Sequence, residues 1–189
     1  MNEDIDSIEL CLRKGGVIAY PTEAVWGLGC LPESEQAVRK ILELKQRSWK
    51  KGLILVAANP DQIHAYVQVL SKKQKSTLLH LESNGSSAVT YLIPKSDNAP
   101  LWISGESEKI AIRISLHPII KLLCDKLNSP LVSTSANTSG NPAARSREEV
   151  ESYFPVGLDG ISPGELGNQS SVSKILDIDS GELFRGAAT

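Results

Sequence analysis

Leu131-Val132-Ser133-Thr134-Ser135-Ala136-Asn137-Thr138-Ser139-Gly140 passes from an apolar pair into a run of hydroxyls and closes on a glycine. Pro130 leads into it, and the apolar pair reads as the start of a buried strand. Side chains alternate along an extended backbone, so Ser133 and Ser135 point to the same side. Asn137 and Gly140 take turn conformations that larger residues resist. A strand end therefore opens into a loop dense in small hydrogen-bonding groups. Such a surface suits phosphate or carboxylate oxygens, which accept several short hydrogen bonds at once. An ordinary polar turn after a strand would use the same residues, so the rest of the chain must decide.

Working back from this segment, Pro118 opens a helix at its favoured first position, with Ile119, Ile120, Leu123 and Leu127 as its apolar stripe. Before it, Ile110, Ile112 and Ile114 alternate in a strand whose other face carries Ala111, Arg113 and Ser115. Val89, Tyr91 and Ile93 alternate likewise, and the chain between 83 and 109 is otherwise poor in helix, as expected of a rim. The continuous apolar run Leu53 to Ala58 reads as a strand covered on both faces. Asn59-Pro60 turns the chain into a helix bearing Ile63, Tyr66, Val67 and Leu70, and Ser71-Lys72-Lys73-Gln74 has capping-box spacing for another.

Nearer the start, Ile5, Ile8 and Leu12 mark an amphipathic helix that Gly15-Gly16 ends. Val17 to Tyr20 is a strand stopped by Pro21, and Pro21 to Gly29 reads as a loop. Ser34 caps a helix whose Val38, Ile41, Leu42 and Lys45 share one face. After the opening segment, Ser146-Arg147-Glu148-Glu149 repeats the capping-box spacing, and short strands follow around Ile175 and Leu183. Strands alternating with helices imply an α/β fold, and neighbouring strands without an intervening helix make the sheet mixed. The 189 residues are expected to form a single domain, 1–189.

A formal net charge of −2 argues against a wholesale nucleic-acid binder. Cys11, Cys30 and Cys124 form no CxxC pair, and His64, His80 and His117 lie at no metal-ligand spacing. The acidic Asn2-Glu3-Asp4 is unlike a signal peptide, and no apolar run reaches membrane-spanning length. These features place the protein in the cytoplasm, away from membranes.

Lys45-Gln46-Arg47-Ser48-Trp49-Lys50-Lys51 puts four cations before a buried strand. Cations are favoured at a helix C-terminus, yet four together repel unless an anion neutralises them. Thr22 follows a strand and a proline, at the kind of strand end where open α/β sheets bind ligands. Arg113 stands close to the sheet, where its planar fork suits a carboxylate or phosphate. The chain contains no GxxxxGK[ST] loop, no GxGxxG after a strand, no GxSxG elbow and no HExxH. Its inventory binds and polarises anions and offers no evident nucleophile.

Taken together these clusters resemble the YrdC-like family. The matching residues are Tyr20-Pro21-Thr22-Glu23-Ala24 with Gly27 and Gly29, Leu44-Lys45-Gln46-Arg47, and Lys51-Gly52-Leu53-Ile54. They continue through Ala111-Ile112-Arg113, His117-Pro118 and Ser133 to Gly140, then Ser173-Lys174-Ile175-Leu176-Asp177 and Gly181-Glu182-Leu183-Phe184-Arg185. The match runs from about residue 15 to 186; longer family members carry a further C-terminal domain.

The resemblance implies a twisted, open, mixed β-sheet flanked by helices, with a positively charged concave face. It also implies the condensation of L-threonine, bicarbonate and ATP to threonylcarbamoyl-adenylate and pyrophosphate. The product serves threonylcarbamoyl modification of the tRNA adenosine beside the anticodon, through downstream threonylcarbamoyl-transferase proteins.

On this reading Lys45, Arg47, Ser135 and Asn137 are catalytic. Arg47, Lys51, Ser133, Ser135, Asn137 and Arg185 bind ATP, with Mg2+ carried by the nucleotide and no dedicated protein metal site. Thr22, Thr90, Arg113 and Ser173 hold threonine, Arg113 through its carboxylate. Three family prolines are replaced: Ser48 follows Arg47, Ser86-Ser87-Ala88 precede Val89-Thr90, and Val172 precedes Ser173. The first change is expected to loosen the turn that aims Arg47. Two other readings stay open at this level: an RNA-binding module gripping tRNA or rRNA through the basic concave face, and a nucleotide-binding paralogue without turnover.

Overall fold

The alternating strand and helix signals condense into one sheet in a computed structural model, which describes residues 4–79, 89–138, 140–169 and 173–185. Ser86-Ser87-Ala88, Ser139, Val172 and the Arg185 side chain, all invoked above, lie outside the described set, as do residues 83–88 of the expected rim. The helices are α1 (Ile5–Arg13), α2 (Glu35–Leu44), α3 (Lys72–Leu79), α4 (Leu101–Ser104), α5 (Pro118–Leu127) and α6 (Arg147–Tyr153). The strands are β1 (Ile18–Pro21), β2 (Trp26–Gly29), β3 (Ile54–Ala57), β4 (Val89–Pro94), β5 (Lys109–Ile114), β6 (Leu131–Ser135), β7 (Gly160–Ile161), β8 (Lys174–Asp177) and β9 (Leu183–Arg185). They lie side by side in the order β7-β1-β2-β6-β3-β5-β4-β8-β9. β1–β7, β3–β5 and β4–β8 are parallel and the other pairings antiparallel, so the sheet is mixed, as expected.

Local chemistry explains most element boundaries. Asp4 accepts the Ser7 N–H at 2.8 Å to start α1, and the Ser34 hydroxyl accepts the Ala37 N–H to start α2. Ser71 and Gln74 form the full reciprocal box at 2.8 and 3.2 Å. The box at Ser146 is half made. Ser146 Oγ accepts from Glu149 N, whereas the Glu149 carboxylate takes the Arg145 N–H. Asn128, in left-handed conformation, closes α5.

Three expectations are corrected. The segment after Asn59-Pro60 makes only a 3₁₀ turn, Pro60–Ile63, before Val67 bridges to Lys95. Ile63, Tyr66 and Val67 are nevertheless buried, so the apolar spacing reported burial and not helix. The segment Pro21 to Gly29 is not all loop, because Trp26–Gly29 returns as β2 against β1. Its glycines disguised the strand. A Cβ on Gly29 would stand 2.5 Å from the Val132 carbonyl and 2.6 Å from Tyr20 Cε1, so the position requires glycine for close approach. The third miss is α4, four residues long and too short for periodicity to reveal.

The pleat gives the sheet two different faces. Leu55 is paired with Val132 and Ile112, and all three join the core that Val38, Ile41 and Leu42 of α2 complete. On the opposite face Val56 is paired with Leu131, and these pack with Ile8 and Leu12 of α1 and Ile120 and Leu123 of α5. One step along that second face come Ser133, Ile54, Ala111 and Leu92, a cross-strand row over β6, β3, β5 and β4. There the apolar cover gives way to the cavity described below.

The basic segment is held against α4 by backbone contacts. Leu53 N donates to the Ile103 carbonyl at 2.9 Å, and Glu106 N to that of Lys50 at 3.2 Å. Gly105 sits at the contact with φ +63°, and a Cβ there would stand 2.3 Å from the Lys50 oxygen. A Gly105→Ala substitution therefore meets both backbone strain and a backbone clash, and is expected to destabilise the fold by about 1–3 kcal/mol. Urea denaturation checks it as a lower midpoint with unchanged slope.

Candidate active site

The uncovered part of the second face forms the floor of a cavity of about 480 Å³. The row Ser133, Ile54, Ala111 and Leu92 lines it, together with Thr22, Lys45, Arg47, Lys51, Arg113, Ser135, Asn137 and Ser173. Nine side chains singled out in the sequence thus converge from five separate segments. Thr90 stands apart, fully buried, sharing a 2.8 Å hydrogen bond with the Ser173 hydroxyl. It shares the sheet face of Leu92 but is covered and does not line the cavity itself.

Lys45 joins the two clusters. Its ammonium donates to the carbonyls of Ser135 and Asn137 and to Asn137 Oδ1, at 2.5, 3.0 and 3.0 Å. These contacts occupy all three of its protons. Asn137 Oδ1 also accepts from the Ser135 hydroxyl at 2.7 Å, while Asn137 Nδ2 donates to the Asn141 carbonyl at 2.7 Å. Asn137 is thus tied to Ser135 on one side and Asn141 on the other, and Lys45 tethers both Ser135 and Asn137. Burial, and secondarily the charge of Arg47, lower the Lys45 pKa from 10.5 to about 8.

Arg47 is aimed by the end of α2. Arg47 N donates to the Leu42 carbonyl and Gln46 N to that of Glu43, both at 2.9 Å, the paired bonds of a Schellman stop. Gln46 takes the left-handed position, φ 49°, that glycine usually fills. Arg47 Nη2 donates to the Gly52 carbonyl at 3.1 Å, and its buried Nε has no partner among the described groups. Ser48 keeps the turn in the geometry a proline would allow. Its φ of −62° is the value a proline would impose, and its hydroxyl accepts the Lys50 N–H. Lys50 pairs with Glu106 at 2.7 Å. The four cations thus divide, with Arg47 and Lys51 lining the cavity without an ion-pair partner among the described residues.

At the other end of the cavity Arg113 is 8% exposed, and its Nη2 lies 3.7 Å from Glu23 Oε2. Arg113 Nε and Glu23 Oε2 are buried without hydrogen-bond partners, while Glu23 Oε1 accepts the Ser115 hydroxyl. Burial pushes the Glu23 carboxyl up, but Arg113 and the Ser115 hydrogen bond outweigh it, and its pKa is lowered. The Thr22 hydroxyl is used in its own turn, donating to the Val25 carbonyl at 2.7 Å. Glu23 was not among the expected site residues. It lies inside the Tyr20 to Ala24 match, but nothing in its spacing distinguished it from a surface acid.

β3 and β5 are parallel with Ile54 opposite Ala111 and Val56 opposite Arg113. Gly52 therefore falls near the Lys109 end of β5, roughly 13 Å along the strand from Arg113 at about 3.3 Å per residue. The cavity has a cationic end at Arg47 and Lys51 and an ion-paired end at Glu23 and Arg113. Among the described residues, no group of three or more His, Cys, Asp or Glu is placed to hold a metal.

Comparison with known proteins finds relatives along nearly the whole chain. The Sua5_yciO_yrdC family model, described as telomere recombination, matches residues 11–186. The threonylcarbamoyl-AMP synthase of Pseudoalteromonas atlantica is 50% identical over 184 residues, 97% of either chain. That of Stutzerimonas stutzeri is 45% identical over 183 residues, again covering 97% of both. The crystal structure of P. abyssi Sua5 complexed with L-threonine aligns with TM-score 0.86 and 28% identity. That alignment covers 97% of this chain and 54% of the other, so this chain spans about half its length.

The depressed Lys45 pKa yields a measurable consequence. Above pH 8 or so the cavity loses one positive charge. Its affinity for sulfate, a dianion throughout this range, is expected to fall at least roughly tenfold, because one charge lost about 6 Å from a dianion is worth ~1.4 kcal/mol even at the dielectric of water. A Lys45→Met variant should bind weakly without that step, as read by titration calorimetry at several pH values. Stability moves the opposite way. Between about 8 and 10.5 the unfolded chain holds the Lys45 proton and the folded one does not, so this group's contribution rises with pH.

Proposed function

The chain belongs to the Sua5/YciO/YrdC family, and on that premise we propose that it is a threonylcarbamoyl-AMP synthase, a nucleotidyltransferase acting on L-threonine, bicarbonate and ATP. The relatives at 50% and 45% identity carry that name over nearly their full lengths, and the P. abyssi Sua5 structure contains L-threonine. The observation that carries the reading is the two-ended cavity, with free cations at one end, an arginine–carboxylate pair at the other, and a hydroxyl floor between.

The chemistry needs little more than this. The free threonine amine attacks the carbon of bicarbonate and water leaves, giving a carbamate whose oxygen is already an anionic nucleophile. That oxygen attacks the α-phosphorus of ATP, the α–β bridging bond breaks, and pyrophosphate leaves with the bond's electron pair. The protein contributes orientation and charge neutralisation. Arg47 and Lys51 take the triphosphate, with Arg185 at its edge. The hydroxyls of Ser133 and Ser135, and Asn137, face the α-phosphate and carbamate oxygens. Lys45 supplies charge and keeps that floor in shape.

Thr22 and Ser173 border threonine, whose carboxylate meets Arg113; Thr90 acts through Ser173. The single carboxylate among the described lining residues, Glu23, is paired with Arg113, so Mg2+ arrives on the ATP phosphates, held by them and water. The adenylate passes to downstream transferase proteins for tRNA modification. No described helix is long and apolar enough to cross a membrane, and we place the reaction in the cytoplasm.

Purified protein is expected to release pyrophosphate only when ATP, threonine and bicarbonate are all present. Release indifferent to threonine refutes the assignment. In the same assay Arg113→Ala should raise the threonine KM roughly 10- to 100-fold, the cost of losing charge-assisted hydrogen bonds, with a much smaller effect on the ATP KM. Equal changes in both would remove Arg113 from the carboxylate.

A further inference from the structure

We propose that Glu23 is a specificity-determining residue: paired with Arg113, it makes the inner end of the cavity a receptor for the two opposite charges of an α-amino acid, and not for any small anion. This inference rests on the threonine assignment above, which gave Glu23 no role beyond its ion pair.

Five basic side chains, Lys45, Arg47, Lys51, Lys109 and Arg113, line the cavity against this one carboxylate among the described residues. Glu23 is held where it stands. Thr22 N and Oγ1 both bond the Val25 carbonyl, closing the turn around it. From the other side Gly167 N donates to Thr22 O at 2.9 Å and Gln169 N to Glu23 O at 3.0 Å. Gly167 packs so closely that a Cβ there would lie 2.9 Å from Glu23 Cα. Four backbone and side-chain restraints thus place one carboxylate against one guanidinium.

The pair is also incompletely bonded. At 3.7 Å, Glu23 Oε2 and Arg113 Nη2 attract each other as charges without a close hydrogen bond. Burying an acceptor and a donor unbonded is costly, and a loose ion pair offsets that cost only in part. A bidentate Arg–carboxylate fork would satisfy both groups and would consume the guanidinium. The looser arrangement keeps Arg113 available to a substrate carboxylate and leaves a fixed negative charge beside it for a substrate ammonium.

Without Glu23, this end would present uncompensated Arg113 to bicarbonate, phosphate or any carboxylate. With it, an anion lacking an ammonium meets a neutral pair, and the triphosphate is steered to Arg47 and Lys51. Discrimination against wrong partners by a placed like charge is a general device.

The test compares threonine with 3-hydroxybutanoate, the same molecule without its amine. Glu23→Gln is expected to raise the threonine KM at least about tenfold with the ATP KM within about twofold, and to strengthen inhibition by 3-hydroxybutanoate. A general structural role would move both KM values together. Equal shifts, or an unchanged preference for threonine over 3-hydroxybutanoate, overturn the proposal. Should Glu23→Gln fail to fold because Arg113 is left unpaired, Glu23→Gln/Arg113→Gln removes both charges. That variant must bind the two ligands with similar weak affinity, and a retained preference for threonine refutes the proposal. Wild-type protein without threonine-dependent pyrophosphate release would instead refute the functional reading beneath it.

Discussion

The ammonium of Lys45 is the constraint on which the site depends. It leaves the end of α2 and binds three oxygens at the end of β6, so two segments 90 residues apart share one anchor. Hydroxyls on a loop are poor anion binders while the loop is free to move, because ordering them at binding consumes the gain. Lys45, and the bonds of Asn137 to Ser135 and Asn141, hold these groups in place before an anion arrives. The cost appears in the lysine itself, whose charged form is weakened by burial and by Arg47. Preorganisation and charge are supplied by the same residue.

The sheet makes this possible by having two unlike faces. One face is closed by α2 and its neighbours, and the other only partly by α1 and α5. Strand alternation alone then carries the chain from core to site. Leu131 packs under the helices, and Ser133, two residues on, lines the cavity. The same step takes β3 from Val56 to Ile54. Along the cavity, charge is separated. Lys50 is drawn off by Glu106 and Arg113 is balanced by Glu23, leaving Arg47 and Lys51, unpaired among the described residues, at the end suited to phosphates.

Much of this was legible from residue patterns. The strands around Leu55, Ile112 and Val132 and the helices capped by Ser34 and Ser71 follow from periodicity and capping, because those signals are local. The hydroxyl run, the cation cluster and Arg113 were also visible as candidates, since charge and hydrogen-bonding groups in excess of structural need stand out. What misled was equally local. The burial of Ile63, Tyr66 and Val67 looked helical although the segment is held by long-range packing, and the glycines of β2 looked like loop although they serve close approach to Tyr20 and Val132. Ser48 looked like a lost constraint, yet its φ is the value proline would impose and its hydroxyl caps the turn that follows.

The sequence by itself determined the fold class, the family and nine of the side chains that line the cavity, because each rests on periodicity, composition or an ordered series of motifs. Only the tertiary structure decided how those residues divide the work. Whether a lysine's protons are free or spent, whether a threonine faces a ligand or supports a serine, and whether an acid on a loop meets an arginine are all settled by approach within a few ångströms. Lys45, Thr90 and Glu23 differ in just that respect, and contacts between segments tens of residues apart leave no trace in local pattern.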